Sequence, residues 1–372
     1  MLQQQVVKFY QIGTDDFRAI VLSSKGTCNY VCYLNSYGSY CTCLGFHYKG
    51  YCSHLKVFTK EITKLAEVRD NMETVNTPIS IKGMNSVLQG GIPKGTLLGL
   101  YGSPQSGKTT TGIWSNFDLM KETGKNLLYI DTESGIATQF LPILVKRYNK
   151  RNGTDFGIKH SKIDFKTWLG TPTDNIPYRD ITDTDKEQYI RVVDVPNIYQ
   201  LLLFVGRPAN IDLASNKPSL KLRNENLFQF IWESPMGKLL DGQLDGGDEY
   251  LGFVLDSFTN VMKIFGSETQ NFPVRDTAQS IVLSQLSELL SENFEMYGTV
   301  IVHASKPPAD VSAKPKPVGG KSVGHAFKYI VQFSSPKSKD LNTSVTILPY
   351  RLPTELGDLS GSTIIINNSG VF

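Results

Sequence analysis

The chain is 372 residues long, with a formal net charge of +3, 40% hydrophobic residues and 20% charged ones. It has no run of about 18 uncharged apolar residues, so no membrane span and no membrane partner are expected. The charge is too even to indicate a nucleic-acid partner by itself, and local clusters have to carry that argument.

At this length one large α/β domain with additions, or two domains, is expected from a prior of roughly 150 residues per domain. The opening Met1-Leu-Gln-Gln-Gln lacks the charged and apolar regions of an export signal, so a cytoplasmic location is expected. All five cysteines, Cys28, Cys32, Cys41, Cys43 and Cys52, fall in the first 52 residues. An odd count without an export signal favours reduced thiols that hold a metal over disulfides.

Residues 1–65 form a module of their own. Phe17 to Leu22 and Tyr30 to Leu34 read as short strands separated by Ser-Ser-Lys-Gly and Asn-Ser-Tyr-Gly turns. After them Cys41, Cys43, Cys52 and His54 offer three sulfurs and one imidazole, a set suited to tetrahedral zinc. His47 is an alternative fourth donor, and Cys28 and Cys32 read as small buried side chains. So small a module has little core, and a metal would supply much of its folding free energy.

The Cys-x-Cys pair, eight residues and then Cys-x-His before an apolar helical start resemble the SWIM zinc-binding domain over roughly residues 15–62. The same stretch interleaves Tyr30, Tyr33, Tyr37, Tyr40, Tyr48 and Tyr51 with Lys49, Lys56, Lys60 and Lys64. These rings either stack on single-stranded nucleic acid, pack around the metal site, or dock a protein. Lys60 to about Asn76 is polar with intermittent apolar residues and reads as a linking helix. Residues 66–76 are taken as the linker.

From Ile79 strand and helix patterns alternate, which predicts a mainly parallel central sheet covered on both faces. The run Thr96 to Tyr101 reads as a strand and Thr109 to Lys121 as a helix. Between them stand Gly102, Ser103, Pro104, Gln105, Ser106, Gly107, Lys108 and Thr109, a Gly-x4-Gly-Lys-Thr loop followed by Thr110. This strand, glycine-rich turn and helix form a phosphate loop. Its backbone N–H groups meet phosphate oxygens, Lys108 reaches the β and γ phosphates, and the Thr109 hydroxyl ligates Mg²⁺. A nucleoside triphosphate, taken as ATP with Mg²⁺, is the first ligand expected.

The approach to this loop, Ile79-Ser-Ile-Lys-Gly-Met-Asn-Ser-Val-Leu-Gln-Gly-Gly-Ile-Pro-Lys-Gly-Thr, closely resembles the entrance to the RecA/RadA recombinase core. The resemblance implies a RecA-like ATPase core over 77–372, with insertions near 149–188 and 206–248. The strand Lys125 to Asp131 ends at Asp131 and Glu133, and the family places at this end the glutamate that activates the attacking water, here Glu133. The arginine-rich continuation that contacts adenine in the family is replaced by Ser134-Gly-Ile-Ala-Thr-Gln-Phe-Leu.

Gln188 to about Leu203 resembles the family's third core strand and its helix. Tyr250 to Asp256 is the Walker B strand, whose Asp256 would hold the Mg²⁺ hydration shell opposite Thr109. Val261 to Arg275, with Lys263 and Arg275, lies where the family places its first DNA-binding loop, ahead of a helix from about Thr277 to Asn293.

Beyond the strand Gly298 to His303 comes a Pro/Gly/Lys loop with Lys306, Lys314, Lys316 and Lys321, which corresponds to the second DNA loop and suits backbone contacts to a single strand. Gly319-Gly-Lys-Ser-Val-Gly-His-Ala-Phe-Lys-Tyr and the strands from Thr343 to Gly370 resemble the RadA branch, which argues against a KaiC-like ATPase unrelated to DNA. Two departures stand out. Ala304-Ser305 replaces the branch's Asn-Gln, and Lys321 stands where the branch carries a histidine near the neighbouring subunit's nucleotide. The linker also lacks the Phe-x-x-Ala tether that joins RadA-type subunits.

The resemblance implies a RadA-like recombination or repair ATPase that binds single-stranded DNA and works as a homo-oligomer or with a recombinase. The competing reading is an ATP-switched regulatory adaptor that docks a partner through the zinc module without strand exchange.

Overall fold

Short apolar runs bounded by turn residues become strands, and polar runs with buried anchors do so as well. The computed structural model describes residues 6–11, 17–22, 29–35, 38–49, 51–60, 62, 76–133, 139–164, 178–206, 209–210, 221–222, 234–244, 247–262, 272–304, 326–334, 342–351 and 360–372. The chain divides into two compact units, Met1–Val75 and Asn76–Phe372. The expected linking helix after Lys60 falls almost wholly outside the described residues.

In the first unit β1 (Val6–Gln11), β2 (Phe17–Leu22), β3 (Asn29–Asn35) and β4 (Gly38–Cys41) form an antiparallel sheet in chain order. A short helix α1 (Leu44–Lys49) and a helix α2 over 53–60 follow. Alternation along β2 turns Ala19 and Val21 inward, where they meet Cys32, Cys41, Cys43, Leu55 and Phe58. These seven side chains are the fully buried core of the unit among its described residues.

The second unit begins with β5 (Asn76–Thr77), α3 (Lys82–Val87), β6 (Ile92–Pro93), β7 (Leu97–Gly102), α4 (Lys108–Thr123) and β8 (Asn126–Asp131). Next come α5 (Leu141–Asn152), β9 (Gly157–Ile163), β10 (Tyr178–Thr182), β11 (Tyr189–Asp194) and α6 (Ile198–Phe204). The strands β12 (Ala209–Asn210) and β13 (Lys221–Leu222), α7 (Pro235–Leu240), β14 (Tyr250–Asp256) and a single-turn helix α8 over 258–262 continue the chain. The unit closes with α9 (Phe272–Glu292), β15 (Tyr297–His303), β16 (Tyr329–Phe333), β17 (Asn342–Arg351), β18 (Ser362–Asn367) and β19 (Gly370–Val371).

Eleven of these strands make one sheet in the order β10-β9-β11-β8-β14-β15-β7-β16-β17-β18-β19. From β9 through β16 every neighbouring pair is parallel, and antiparallel strands flank this block at both ends. The interior strands are apolar on both faces because both are covered. On β7, Leu97 and Tyr101 enter a core with α6, α7 and α9, while Leu98 and Leu100 enter the opposite core with α3, α4 and α5. Alternate residues of β8 divide in the same way. Among the described residues, no helix is long and apolar enough to cross a membrane.

Two elements differ from expectation. The polar stretch 149–188, expected as an insertion or long connection, contains β9 and β10, which widen the sheet. Their sequences, Gly-Ile-Lys-His-Ser-Lys-Ile and Tyr-Arg-Asp-Ile-Thr, carry little apolar alternation because ion pairs hold them. Arg191 on β11 is fully buried. Its guanidinium donates to Asp180 Oδ1 and Ser161 Oγ at 2.7 Å each, to Tyr250 Oη at 2.5 Å and to Tyr189 Oη at 3.1 Å. Asp248 stands 3.6 Å away and accepts from Tyr189 Oη. Lys159 on β9 lies 3.1 Å from both Asp180 and Asp183. Secondly, α9 begins at Phe272, about a turn earlier than expected, so the Arg275 backbone lies in a helix rather than in an irregular loop.

A buried guanidinium with several partners is costly to remove, because its acceptors are left behind without a counter-charge. Replacing Arg191 with Leu is expected to destabilise the second unit by about 3 kcal/mol, measured by urea unfolding of the full chain. Unchanged stability would mean that the edge strands do not depend on this cluster.

Candidate functional site

The carboxyl ends of β7, β8, β14 and β15 lie side by side in the parallel sheet. In the ladder His303 is paired with Gly102, and Asp256 with Asp131. Each strand therefore delivers its last residues to one edge, the position where α/β sheets of this kind take their ligands.

β7 is buried through Gly102 and then turns through residues 103–107 into α4. The turn needs left-handed backbone at Gln105 (φ 61°) and Gly107 (φ 84°), a conformation that glycine adopts at little cost. The first turn of α4 has Gly107 at its N-cap with no side-chain cap, so its leading N–H groups are left for a ligand. A Cβ at Gly102 would run into the Phe333 carbonyl of β16, and one at Gly107 into the Ile366 side chain of β18. At Gly102 packing against backbone thus requires glycine, whereas at Gly107 the obstacle is the movable end of a side chain and the positive φ is what favours glycine.

Lys108 is only 4% exposed. A buried ammonium needs acceptors, and its Nζ donates to the Ser103 carbonyl at 2.7 Å and to Ser106 Oγ at 3.3 Å. Ser106 is buried, Ser103, Thr109 and Thr110 are half-buried, and Pro104 and Gln105 are exposed at the mouth of the loop. Thr109 follows Lys108 and hydrogen-bonds the Asp256 side chain, which also accepts from Tyr129 Oη at 2.9 Å. Burial pushes the Asp256 carboxyl up to about 7; the Tyr129 and Thr109 hydrogen bonds oppose the rise, and the neighbouring Glu133 and Asp131 add to it. Carboxylates on adjacent strand ends beside a hydroxyl are a hard-oxygen donor set that fits Mg²⁺.

Past the ladder, β8 and β14 remain stapled together. Thr132 Oγ1 donates to the Ser257 carbonyl at 2.8 Å and accepts from the Ser257 N–H at 2.9 Å. The Thr132 N–H donates to the Asp256 carbonyl at 2.9 Å, and Asn260 Nδ2 donates to the Thr132 carbonyl at 2.8 Å. These bonds hold Glu133 in place, its N–H on Asp131 Oδ1 at 2.8 Å and its Oε1 accepting from Ser257 Oγ at 2.7 Å. His303 Nε2 stands 3.7 Å from the same oxygen. The Glu133 side chain is 31% exposed, so one face is open to water.

Lys108, Thr109, Asp256 and Glu133 are therefore brought to one edge, and Tyr129, Thr132, Ser257 and His303, which the sequence reading did not assign, complete it. Their only advance signal is position: Thr132 and Ser257 adjoin the strand-end acids, Tyr129 lies two residues before Asp131 and His303 ends a strand. Lys263, Lys306, Lys314, Lys316 and Lys321 lie outside the described residues, as does Ser305. Arg275 is placed by its backbone alone.

In the first unit Cys41, Cys43, Cys52 and His54 converge, with one donor atom from each lying within 4.8 Å of all the others. Cys41, Cys43 and His54 are buried and Cys52 partly so. His54 Nδ1 is buried without a hydrogen-bond partner, while its ring lies 4.4 Å from that of Tyr30. The Leu55 N–H points at Cys52 Sγ at 3.4 Å, and the Cys43 backbone hydrogen-bonds Cys41. Burial raises the Cys41 and Cys52 thiols above their ordinary range and lowers His54. A buried orphaned imidazole nitrogen beside three sulfurs fits a tetrahedral zinc donor set. His47, the alternative donor, is exposed and outside the cluster. Cys32 is buried opposite Cys41 in the ladder, and burial pushes its thiol up to about 11.

No protein family model matches the chain. Over 74 residues it is 34% identical to the DNA repair and recombination protein RadB of Methanobrevibacter smithii, covering 20% of this chain and 28% of that protein. Similarity to RadB of Methanosphaera stadtmanae is 34% over 88 residues, or 24% of this chain and 34% of the relative. Similarity to the RecA protein of Malacoplasma penetrans is 35% over 86 residues, or 23% and 25%. The matched segments thus span between a quarter and about a third of these relatives. A crystal structure of the RadB recombinase aligns at a TM-score of 0.47 and 16% identity, covering 78% of this chain and 96% of that one. Over part of its length, the chain is similar to recombination proteins of the RadB and RecA type.

A methyl group at Gly102 has no direction in which to relax, because the obstacle is the backbone of a neighbouring strand. Gly102→Ala is expected to cost about 2 kcal/mol in urea unfolding, within the usual range for overpacking. Wild-type stability would show that β7 and β16 are less tightly apposed.

Proposed function

We propose that the chain is an ATP-dependent recombination or repair protein of RadA-like type that binds single-stranded DNA and hydrolyses ATP to ADP and phosphate. The observation that carries this reading is the convergence of Lys108, Thr109, Asp256 and Glu133 on adjacent strand ends. The partial similarity to RadB and RecA supports the DNA side of it.

On this reading Lys108 exchanges the Ser103 carbonyl for the β and γ phosphate oxygens, and the backbone from Gly102 to Thr109 cradles the phosphates. Thr109 and Asp256 would hold Mg²⁺, which neutralises charge on the triphosphate when bound. Glu133 orients a water for in-line attack on the γ phosphorus and accepts its proton as the bond to the β–γ bridging oxygen breaks. Ser257 occupies one oxygen of Glu133, which leaves the other for the water. Cys41, Cys43, Cys52 and His54 would hold a structural zinc whose binding contributes folding free energy to the first unit. Binding of DNA through the two loop regions, and assembly with like subunits or a recombinase, complete the proposal.

One observation favours the regulatory alternative. Ala304 meets Gly102 only through its backbone N–H, at 2.9 Å, and brings no polar side chain to the nucleotide edge. The chain would then switch a partner by binding ATP without exchanging strands. Imaging with single-stranded DNA and ATP separates the two readings: nucleoprotein filaments favour the first, and nucleotide binding without DNA binding favours the second.

Glu133→Gln keeps the shape and hydrogen bonds of the side chain but removes the base. Turnover should fall at least about 100-fold while Mg·ATP affinity stays within about threefold, measured by phosphate release and calorimetry. Normal hydrolysis in the variant removes Glu133 from this role. For the metal, elemental analysis of the full chain should find about one zinc per chain, lost on Cys43→Ala together with the folded state of the first unit. Zinc-free protein with an intact first unit would contradict the assignment.

A further inference from the structure

The eight residues between Cys43 and Cys52 comprise α1 and two further residues, and they carry the two most exposed large hydrophobic side chains among the described residues of the first unit. Tyr48 is 79% exposed and Tyr51 70%. Rings of this size ordinarily bury most of their surface, and in a unit whose described core is seven side chains they would be valuable inside it. Among the described residues of the unit, the large exposed hydrophobic side chains are Tyr40, Tyr48 and Tyr51, and none is aliphatic. The edge of His47 meets Tyr48, with ring centroids 5.6 Å apart at 77°, and so steadies that ring without covering it.

Charge points the same way. Residues 17–60 contain five lysines and arginines and not one aspartate or glutamate. Lys49 stands between the two tyrosines, and Lys56 and Lys60 lie one helical turn apart on the exposed side of α2, whose Leu55 and Phe58 are buried. Both ends of the tyrosine segment are fixed, because the Cys43 and Cys52 sulfurs belong to the same four-donor cluster.

We propose that Tyr48 and Tyr51, with Lys49, Lys56 and Lys60, form a stacking surface for single-stranded DNA on the first unit, separate from any DNA contact made by the loops of the second. Flat, exposed, amphipathic rings offer faces to bases of any sequence, and the exposed lysines of the same stretch would meet the phosphates. A strongly apolar protein interface would add aliphatic side chains to the rings, and none is exposed among the described residues of the unit. An acidic peptide would be served by the lysines alone and would leave the rings without a role. The surface rests on the metal reading only in so far as the metal fixes the ends of the segment.

The test uses the full chain without ATP and a fluorescein-labelled oligothymidine, read by anisotropy across a salt series, with zinc content measured on every sample. Tyr48→Ala/Tyr51→Ala should weaken binding by about tenfold or more, whereas Tyr48→Phe/Tyr51→Phe, which keeps the rings, should stay within about twofold of wild type. Lys49→Gln/Lys56→Gln/Lys60→Gln should flatten the salt slope by about 2. Crosslinking with 5-iododeoxyuridine should label Tyr48 or Tyr51. Full affinity in the alanine variant with no crosslink at either ring overturns the proposal, as does equal competition by polyglutamate and unlabelled oligothymidine. Zinc-free protein that still crosslinks at Tyr48 would remove the metal reading and leave this one standing. Zinc-loaded protein that loses nothing on ring removal would do the reverse.

Discussion

The second unit depends on the register between β8 and β14. Because Asp256 is paired with Asp131, both strands end at the same level, and the bonds between Thr132 and Ser257 carry the alignment beyond the last rung. A slip of one residue would turn every side chain of β14 to the opposite face of the sheet, sending Asp256 away from Thr109 and Tyr129. The two apolar cores above and below the sheet oppose that slip, since on β14 Phe253 and Leu255 pack into one and Leu251 and Val254 into the other. Packing of ordinary apolar residues thus fixes where the acids stand. The acids, themselves unfavourable to bury together, are tolerated because Tyr129, Thr109 and Ser257 donate to them.

The parts of this arrangement that could be read from the sequence are those that local physics dictates. The apolar runs ending at Gly102, Asp131, Asp256 and His303 are all strands, and the glycines and Lys108 mark the turn between β7 and α4. The Cys-x-Cys and Cys-x-His spacings likewise bring four donors to one place. The parts that could not be read depend on contacts distant in sequence. Ser257 and His303 meet Glu133 across 124 and 170 positions of chain, and neither residue type marks itself at a strand end. β9 and β10 were illegible because their anchor, Arg191, is a charged residue in a buried strand, and its partners Asp180, Ser161 and Tyr250 come from three other strands.

The first unit solves a different problem. The seven apolar side chains buried among the described residues of this unit remove little apolar surface from water, and below a certain size a hydrophobic core does not offset the entropy of ordering the chain. On the proposed metal reading, a cluster of three sulfurs and an imidazole would make up for a small core with a few strong bonds. Between Cys43 and Cys52, whose sulfurs belong to that cluster, stand the exposed Tyr48 and Tyr51.

The central claim is that the edge built by Lys108, Thr109, Asp256 and Glu133 receives a triphosphate, and a crystal structure of the full chain with Mg²⁺ and a non-hydrolysable ATP analogue tests it most directly. The account predicts Lys108 Nζ released from the Ser103 carbonyl and bound to the β and γ phosphates, with the metal between Thr109 and Asp256 and an ordered water on Glu133. An analogue bound elsewhere, or Lys108 still on Ser103 with the nucleotide in place, would contradict it.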